Sequence, residues 1–255
     1  MPFRTVEERL EWWNSIGKPR YACAPMVMQS ELAFRTMVRR HGCTFCYSPM
    51  IPVKAFLALP AEGLDPDPHT GGPASQASYF TTLPGSTDRP LAVQLGGAEP
   101  QEMLAAARLL QDRCDCIDVN FGCPQQCAAT AGYGAFLMEE PQRAREIIET
   151  LVAGLDVPVT AKCTIFSSLA DTIKWAKMLE DAGVACLCVH GRRREQRHHE
   201  GPADLAAVAA VKAALRIPVI SNGNVRSFAE AEAAMRETKA DGVMSAKALL
   251  ANPRE

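Results

Sequence analysis

The sequence has no apolar run approaching the ~18 residues that a membrane span requires, so no membrane-embedded helix is expected. It has no internal repeat and no low-complexity tract, so no repeat architecture is expected either. It also lacks an excess of either charge. Lys and Arg number 27 against 29 Asp and Glu, a formal net charge of −2. Bulk charge therefore gives no support to nucleic-acid binding, and such a site would need a local basic patch. The opening "MPFRTVEERLEWW" is charged and amphipathic, without the features of a signal or transit peptide.

What is present fits an ordinary globular protein. The 255 residues are 47% hydrophobic and 22% charged, enough for one large α/β domain with a well-buried core or two small ones. Ten cysteines are many, but they sit inside apolar runs such as "YACAPM", "CDCIDV" and "ACLCVH". That placement suggests reduced thiols in an intracellular protein, in cytoplasm or nucleus with an organelle left open. Cys43 and Cys46 form a CxxC, and Cys123 and Cys127 a CxxxC. A zinc site needs four ligands at paired spacings and no second knuckle follows either pair, so no metal is expected.

Eight near-continuous apolar runs recur at 21–26, 44–50, 90–96, 116–122, 158–164, 185–191, 218–224 and 242–248. Strands buried on both faces have this character. Ala-, Leu- and Glu-rich segments with helical spacing lie between most of them, at 30–41, 99–112, 141–154, 168–183, 203–216 and 227–238. Ser30, Pro100 and Ser227, the last with Glu230 at capping-box spacing, are start signals. The alternation predicts an α/β fold, a (β/α)8 TIM barrel over 21–255, after an N-terminal extension over 1–20. The Pro-, Gly- and Ser-rich stretch 55–89 reads as a long, mobile loop insertion in place of a second helix. The chain stops at "LLANPRE", just after the eighth strand, so the helix that closes such a barrel is expected to be missing.

In such barrels the chemistry sits at the carboxyl ends of the strands. Those ends carry Pro25 and Met26, Gln94, Asn120 and Cys123, Lys162, His190, Asn222-Gly223-Asn224, and Ala246-Lys247. Each alone has an ordinary reading: a solvated lysine, a turn histidine, a satisfied amide, a packing thiol. "SNGN" alone is an ordinary turn, although the same sequence can present backbone N–H groups to a phosphate. Convergence of so many polar types at equivalent positions argues for a site. Cys123 is conspicuous, held between Gly122 and Pro124 in "DVNFGCPQQ" where a strand gives out.

Taken in order, "APMVMQSELAFR", "PLAVQLGG", "DVNFGCPQQ", "GYGAFLM", "PVTAKCT", "VHGRRREQR", "IPVISNGNV" and "DGVMSAKALLANP" resemble the tRNA-dihydrouridine synthases, flavin-dependent TIM-barrel enzymes. The resemblance covers about residues 21–253, and "QSELAFR", "YGAFL" and "GVMSA" look most like the eukaryotic-type 16/17 subgroup. It implies FMN as cofactor, NADPH or NADH as electron donor, and D-loop uridine of tRNA as substrate. Cys123 would be the general acid that protonates C5 of uracil after hydride reaches C6. A thiol suits this because its reference pKa of ~8.5 leaves it mostly protonated at neutral pH. Asn120 would position the uracil, Pro25 and Met26 would lie along the flavin, and Gln94 and Lys162 would contact its edge. His190 matches a histidine between flavin and substrate. Asn222, Gly223, Asn224, Ala246 and Lys247 match the phosphate-binding turns.

The chain also departs from the family pattern. "CAATAGYG" stands where a Lys-Arg pair is usual, "AKCT" removes a further arginine, and Arg193 stands where Thr is usual. The loop after the sixth strand carries Arg192, Arg193, Arg194, Arg197, His198 and His199, of which Arg193, Arg194 and Arg197 are expected to guide RNA. The family's C-terminal helical RNA-binding domain is expected to be missing from this chain. Two other functions compete: an FMN barrel acting on a free pyrimidine or enone, and a non-catalytic RNA-binding barrel. Oligomeric state is not legible.

Overall fold

The structure is a computed structural model that describes residues 3, 5–59, 79–82, 87–196 and 200–253, with Cys127 described in its backbone only. Its elements run α1 (Val6–Ser15), β1 (Tyr21–Cys23), α2 (Leu32–Arg40), β2 (Phe45–Tyr47), β3 (Ile51–Pro52), α3 (Val53–Leu57), β4 (Leu91–Gly96) and α4 (Pro100–Leu110). They continue with β5 (Cys116–Phe121), α5 (Gln126–Thr130), α6 (Pro141–Gly154), β6 (Val159–Ile165), α7 (Leu169–Ala182) and β7 (Leu187–Arg193). The last are α8 (Leu205–Ala214), β8 (Val219–Asn222), α9 (Phe228–Thr238), β9 (Gly242–Ser245) and α10 (Lys247–Ala251).

Every strand pairing is parallel. β1 pairs with both β2 and β9, and β2 pairs with β4, so the ring closes on itself. Each of the eight apolar runs supplies one ring strand, and the architecture is the expected (β/α)8 barrel. The two-residue β3 is an addition along β4, with Ile51 opposite Leu95. The chain leaves β2 at Ser48-Pro49, where proline has no N–H to give to a ladder. Ser48 repairs the gap, its buried hydroxyl accepting the N–H of Gln94 at 3.1 Å.

Alternation along the strands sorts residues into two layers. Val93, Leu95, Ile117, Val119, Val159, Ala161, Leu187 and Val189 belong to the larger cluster beneath the helices. Ala92, Cys116, Cys188, Ile220 and Met244 fill the lumen with Phe45 and Tyr47. Trp12 and Trp13 of α1 join that inner cluster, Trp13 edge-on to Phe45 at 6.3 Å where β2 begins, so the N-terminal helix closes the amino end of the barrel. α1 is set there by a full capping box between Thr5 and Glu8.

Two local expectations change. Ser30 does not cap α2: Glu31 holds that position without a side-chain bond, while the Ser30 hydroxyl accepts the Met26 N–H at 3.0 Å. The competing demand of the β1 turn takes the hydroxyl. The expected loop 55–89 begins inside α3, its body at 60–78 and 83–86 lies outside the described residues, and Phe80, Thr82 and Asp88 near its far end are buried. Asp88 holds buried Arg35 of α2 at 2.6 Å, and Arg35 also donates to the carbonyls of Ser30 and Thr81. Removing one partner of such a buried pair costs about 3–5 kcal/mol, so this clamp fixes the turn after β1 against the chain entering β4.

Candidate active site

Inward-facing positions near the carboxyl rim change from apolar to polar. In register, Gln94 of β4 stands beside Asp118 of β5, and Asp118 beside Thr160 of β6. One step higher, Asn120 stands beside Lys162, and higher still Thr164, His190 and Asn222 stand in one row. The expected residues of five adjacent strands therefore do converge on one end of the lumen.

A continuous hydrogen-bond chain links them. Thr160 Oγ1 donates to Asp118 Oδ1 at 2.7 Å, and Gln94 Nε2 donates to Asp118 Oδ2 at 2.8 Å. Asn120 Nδ2 donates to Gln94 Oε1 at 2.8 Å. Asn120 Oδ1 then accepts the backbone N–H groups of Gly122 (3.0 Å) and Cys123 (2.9 Å). Both lone pairs of that oxygen are used, so Asn120 holds the cysteine turn, and one of its two Nδ2 hydrogens goes to Gln94. Asp118 is fully buried, and desolvation raises its pKa from 3.8 to about 6 against the opposing pull of Gln94, Thr160 and Lys162.

The thiol end is built by "GYGAFLM". Ala135 N–H donates to the Cys123 carbonyl at 3.0 Å. Gly134 has φ +71°, and a Cβ there would stand 2.6 Å from that carbonyl oxygen. Tyr133 packs on Gly96, where a Cβ would meet its ring at 3.0 Å. Among the nine cysteines whose side chains are described, only Cys43 and Cys123 are not buried. Burial pushes Cys163 and Cys188 up to about 12, and the hydrogen bond shared with Cys46, together with burial, raises Cys43 well above the ordinary range. Cys123 is the thiol at the rim.

The opposite side of the rim is an anion-shaped turn. Gly223 (φ +117°) and Asn224 (φ 59°) follow β8 in left-handed conformations. A Cβ on Gly223 would be 2.6 Å from Ala203, which explains the glycine. Asn222 is anchored through Nδ2 to the Met244 carbonyl at 3.0 Å. Arg192 enters this corner and is buried. Its Nη2 donates to Asn224 Oδ1 at 2.7 Å, and its Nη1 lies 3.2 Å from His190 Nε2. Its buried Nε has no hydrogen-bond partner among the described residues. An unpaired, buried guanidinium N–H beside a left-handed turn fits an anionic group.

The remaining expected residues are less enclosed. Pro25 and Met26 are half-buried after β1, Met26 touching both core clusters. Ala246 packs on the lumen cluster, whereas Lys247 is exposed at the start of five-residue α10. Arg193 is exposed. Arg194 instead pairs with Glu139 and lies over the Phe136 ring at 4.9 Å, tying its loop to the Gly134–Glu139 segment. Arg197 lies outside the described residues. No group of three or more metal-type side chains forms among the described residues.

Sequence reasoning gives no individual site role to three contributors. Asp118 shares the inward period of Asn120 and is an acid inside the buried run "CIDVNF", which is a readable signal. Arg192 and Ser48 carry no comparable mark.

A closed parallel barrel with a thiol turn on one side of its carboxyl rim and an anion-shaped corner on the other defines a (β/α)8 protein of the ligand-binding kind. The dihydrouridine synthase (Dus) family model matches residues 22–254, and the chain belongs to that family. It is 40% identical over 95% of its length to tRNA-dihydrouridine(16/17) synthase NAD(P)(+)-like of Rattus norvegicus. It is 38% identical over 97% to tRNA-dihydrouridine(20a/20b) synthase NAD(P)+-like of Homo sapiens, covering 73% of that protein. The chain spans 52% of the rat protein, about half the length of the first curated relatives it matches. Among solved structures, a 2-naphthoyl-CoA reductase complex shares the fold with a TM-score of 0.64 at 14% identity, over 92% of this chain and 49% of that one.

Proposed function

We propose that this chain is the catalytic barrel of an FMN-dependent enzyme that reduces uridine to 5,6-dihydrouridine in tRNA, with NADPH or NADH as electron donor. The observation that carries the reading is Cys123, a rim thiol pinned from below by Asn120 and from the side by Gly134. The names of the rat and human relatives support the reaction and the nicotinamide donor. The proposed position is 16/17, on the 40% identity to the rat protein against 38% to the human 20a/20b protein.

The residues present fit the cofactor. The unpaired Nε of Arg192, with Gly223 and Asn224, would hold its phosphate. Lys162 would offset negative charge on the ring, and Met26 would lie against its face. When bound and reduced, FMN supplies the hydride for C6 of the base. The Cys123 thiol gives its proton to C5. The remaining Nδ2 hydrogen of Asn120 orients a uracil carbonyl beside it, and the buried floor of Gln94 and Asp118 keeps water from below.

The protein should purify with, or be reconstituted by, FMN, read as a flavin absorbance band released on denaturation. Cys123→Ala should retain that band and NADPH oxidation while uridine reduction in tRNA falls by about 10²–10⁴-fold. A colourless protein that cannot be reconstituted refutes the flavin reading, and undiminished uridine reduction in Cys123→Ala refutes the proton donor. Mapping dihydrouridine along the product tRNA separates position 16/17 from 20a/20b. Turnover of free uridine with none on tRNA would assign the barrel to a small-molecule substrate.

A further inference from the structure

We propose that Asp118 is the positioning residue that anchors the lower end of the hydrogen-bond chain ending at the Cys123 turn. The role rests on the reading of Cys123 as proton donor, but the relay itself is visible without any ligand.

The two amides of Gln94 and Asn120 could each sit in either of two flipped orientations, and hydrogen-bond partners decide between them. From the upper end the decision is forced. Backbone N–H groups of Gly122 and Cys123 can only donate, so Asn120 must turn its oxygen towards them. Its Nδ2 then faces Gln94, which must present Oε1, leaving Gln94 Nε2 pointed down at position 118. A chain of this polarity needs an acceptor at its lower end. Asp118 supplies one, and is itself held by the hydroxyl of Thr160.

Without that acceptor, Gln94 keeps the bond from Asn120 only by leaving its own buried Nε2 unpaired, the costly outcome for a buried donor. Flipped, it would offer N–H to Asn120 Nδ2, donor against donor, and Asn120 would have to flip in turn or pull away. Either response takes the oxygen from the two N–H groups that hold the thiol-bearing turn. Asp118 is fully buried and makes no approach to the rim, so its influence on Cys123 passes through the two amides.

The proposal distinguishes two isosteric replacements. Asp118→Asn can aim its oxygen at Gln94 and its amide nitrogen at Thr160, whose hydroxyl can also accept, so the polarity survives. Asp118→Leu fills the same space without an acceptor. Amide hydrogen exchange measured by NMR on the whole chain, with no substrate present, reads the turn directly. Asp118→Leu should speed exchange at Gly122 and Cys123 by about tenfold or more, with the other β5 and β6 amides holding, while Asp118→Asn stays within about threefold of the parent. Uridine reduction should follow the same order, with Asn close to the parent and Leu well below it.

Unchanged protection of both amides in Asp118→Leu would overturn the proposal. So would equal acceleration in Leu and Asn, which would show that position 118 matters for charge or packing alone. Should Asp118→Leu not fold, Gln94→Leu cuts the chain one link nearer the turn. Exchange at the same two amides then decides: acceleration supports the relay and unchanged protection overturns it. If the parent itself fails to reduce uridine, the proton-donor reading falls, and the exchange result stands independently of it.

Discussion

Gly134 packs directly against Cys123: a Cβ added to the glycine would stand 2.6 Å from the Cys123 carbonyl oxygen and 3.0 Å from its Cβ. Ala135 completes the contact by donating its N–H to the same carbonyl. Two segments close in sequence thus form one wall, with the thiol turn on one side and the Gly134–Glu139 segment on the other. Asn120 holds the turn from within β5 and Gly134 holds it from outside, so the thiol is fixed by independent supports.

Gly134→Ala should therefore move Cys123. The new methyl cannot fit at 2.6 Å from a backbone oxygen, and the left-handed φ of +71° adds strain of about 1–2 kcal/mol for a residue with a Cβ. Uridine reduction should fall by about tenfold or more and the melting temperature should drop, while FMN content stays at the parent level. Single-turnover reduction of tRNA beside a flavin titration checks this. A full rate would show that the position of the thiol is not critical.

The anion corner leads to a second expectation. Arg192 is buried with Nε unpaired, and its Nη2 already orients Asn224. Hydrogen bonds to charged groups contribute about 1.5–3 kcal/mol, so Arg192→Met should weaken FMN binding by about ten- to a hundredfold. Inorganic phosphate should compete with FMN for the parent and lose that effect in the variant. Both are read by flavin fluorescence quenching. Equal affinity in the two proteins would place the phosphate elsewhere.

The barrel and half its rim are legible in the sequence for one physical reason. Strands buried on both faces leave no ordinary place for a polar side chain, so Gln94, Asn120, Lys162 and His190 stand out wherever an apolar run ends. Asp118 bears the same mark, but its part depends on the register Gln94–Asp118–Thr160, which no strand encodes alone. Ser30 illustrates the opposite difficulty. A serine before a helical run is a good cap, yet the turn after β1 binds its hydroxyl first. Arg192, Arg193 and Arg194 are adjacent in sequence and divergent in space: one is buried, one is exposed and one is paired with Glu139.

That divergence separates two expectations for the arginine loop. Arg193 is exposed, and if it meets a tRNA phosphate, Arg193→Ala should raise the KM for tRNA and reduce the salt slope by about 0.7–0.9. Arg194 is committed to Glu139 and to the Phe136 ring at 4.9 Å, contacts worth about 1 kcal/mol or less at such an exposed site. Arg194→Ala should therefore leave the salt slope alone and slightly destabilise the protein. Steady-state kinetics at three salt concentrations distinguish them. Equal salt slopes in the parent and Arg193→Ala would remove Arg193 from the RNA path.

The last expectation concerns pH and follows from the buried carboxyl. Desolvation moves Asp118 from 3.8 to about 6, a net shift of about two pH units that already includes the opposing hydrogen bonds of Gln94 and Thr160 and the charge of Lys162. Tyr47, Cys116, Cys163, Cys186 and Cys188 also feel the carboxylate, but burial pushes all five upward, so they stay neutral through this window. Between pH 3.8 and about 6 the native state holds a proton that the unfolded chain has released. Stability from this group therefore falls as pH rises through that window, and stays lower above it. Asp118→Asn removes the penalty. It should be more stable than the parent by about 3 kcal/mol at pH 7.5 and by about half as much at pH 5, the gap closing towards pH 3.8. Urea unfolding at two pH values measures it. A pH-independent gap, or a less stable Asp118→Asn at pH 7.5, would show that the carboxylate is better solvated in its hydrogen bonds than its burial implies.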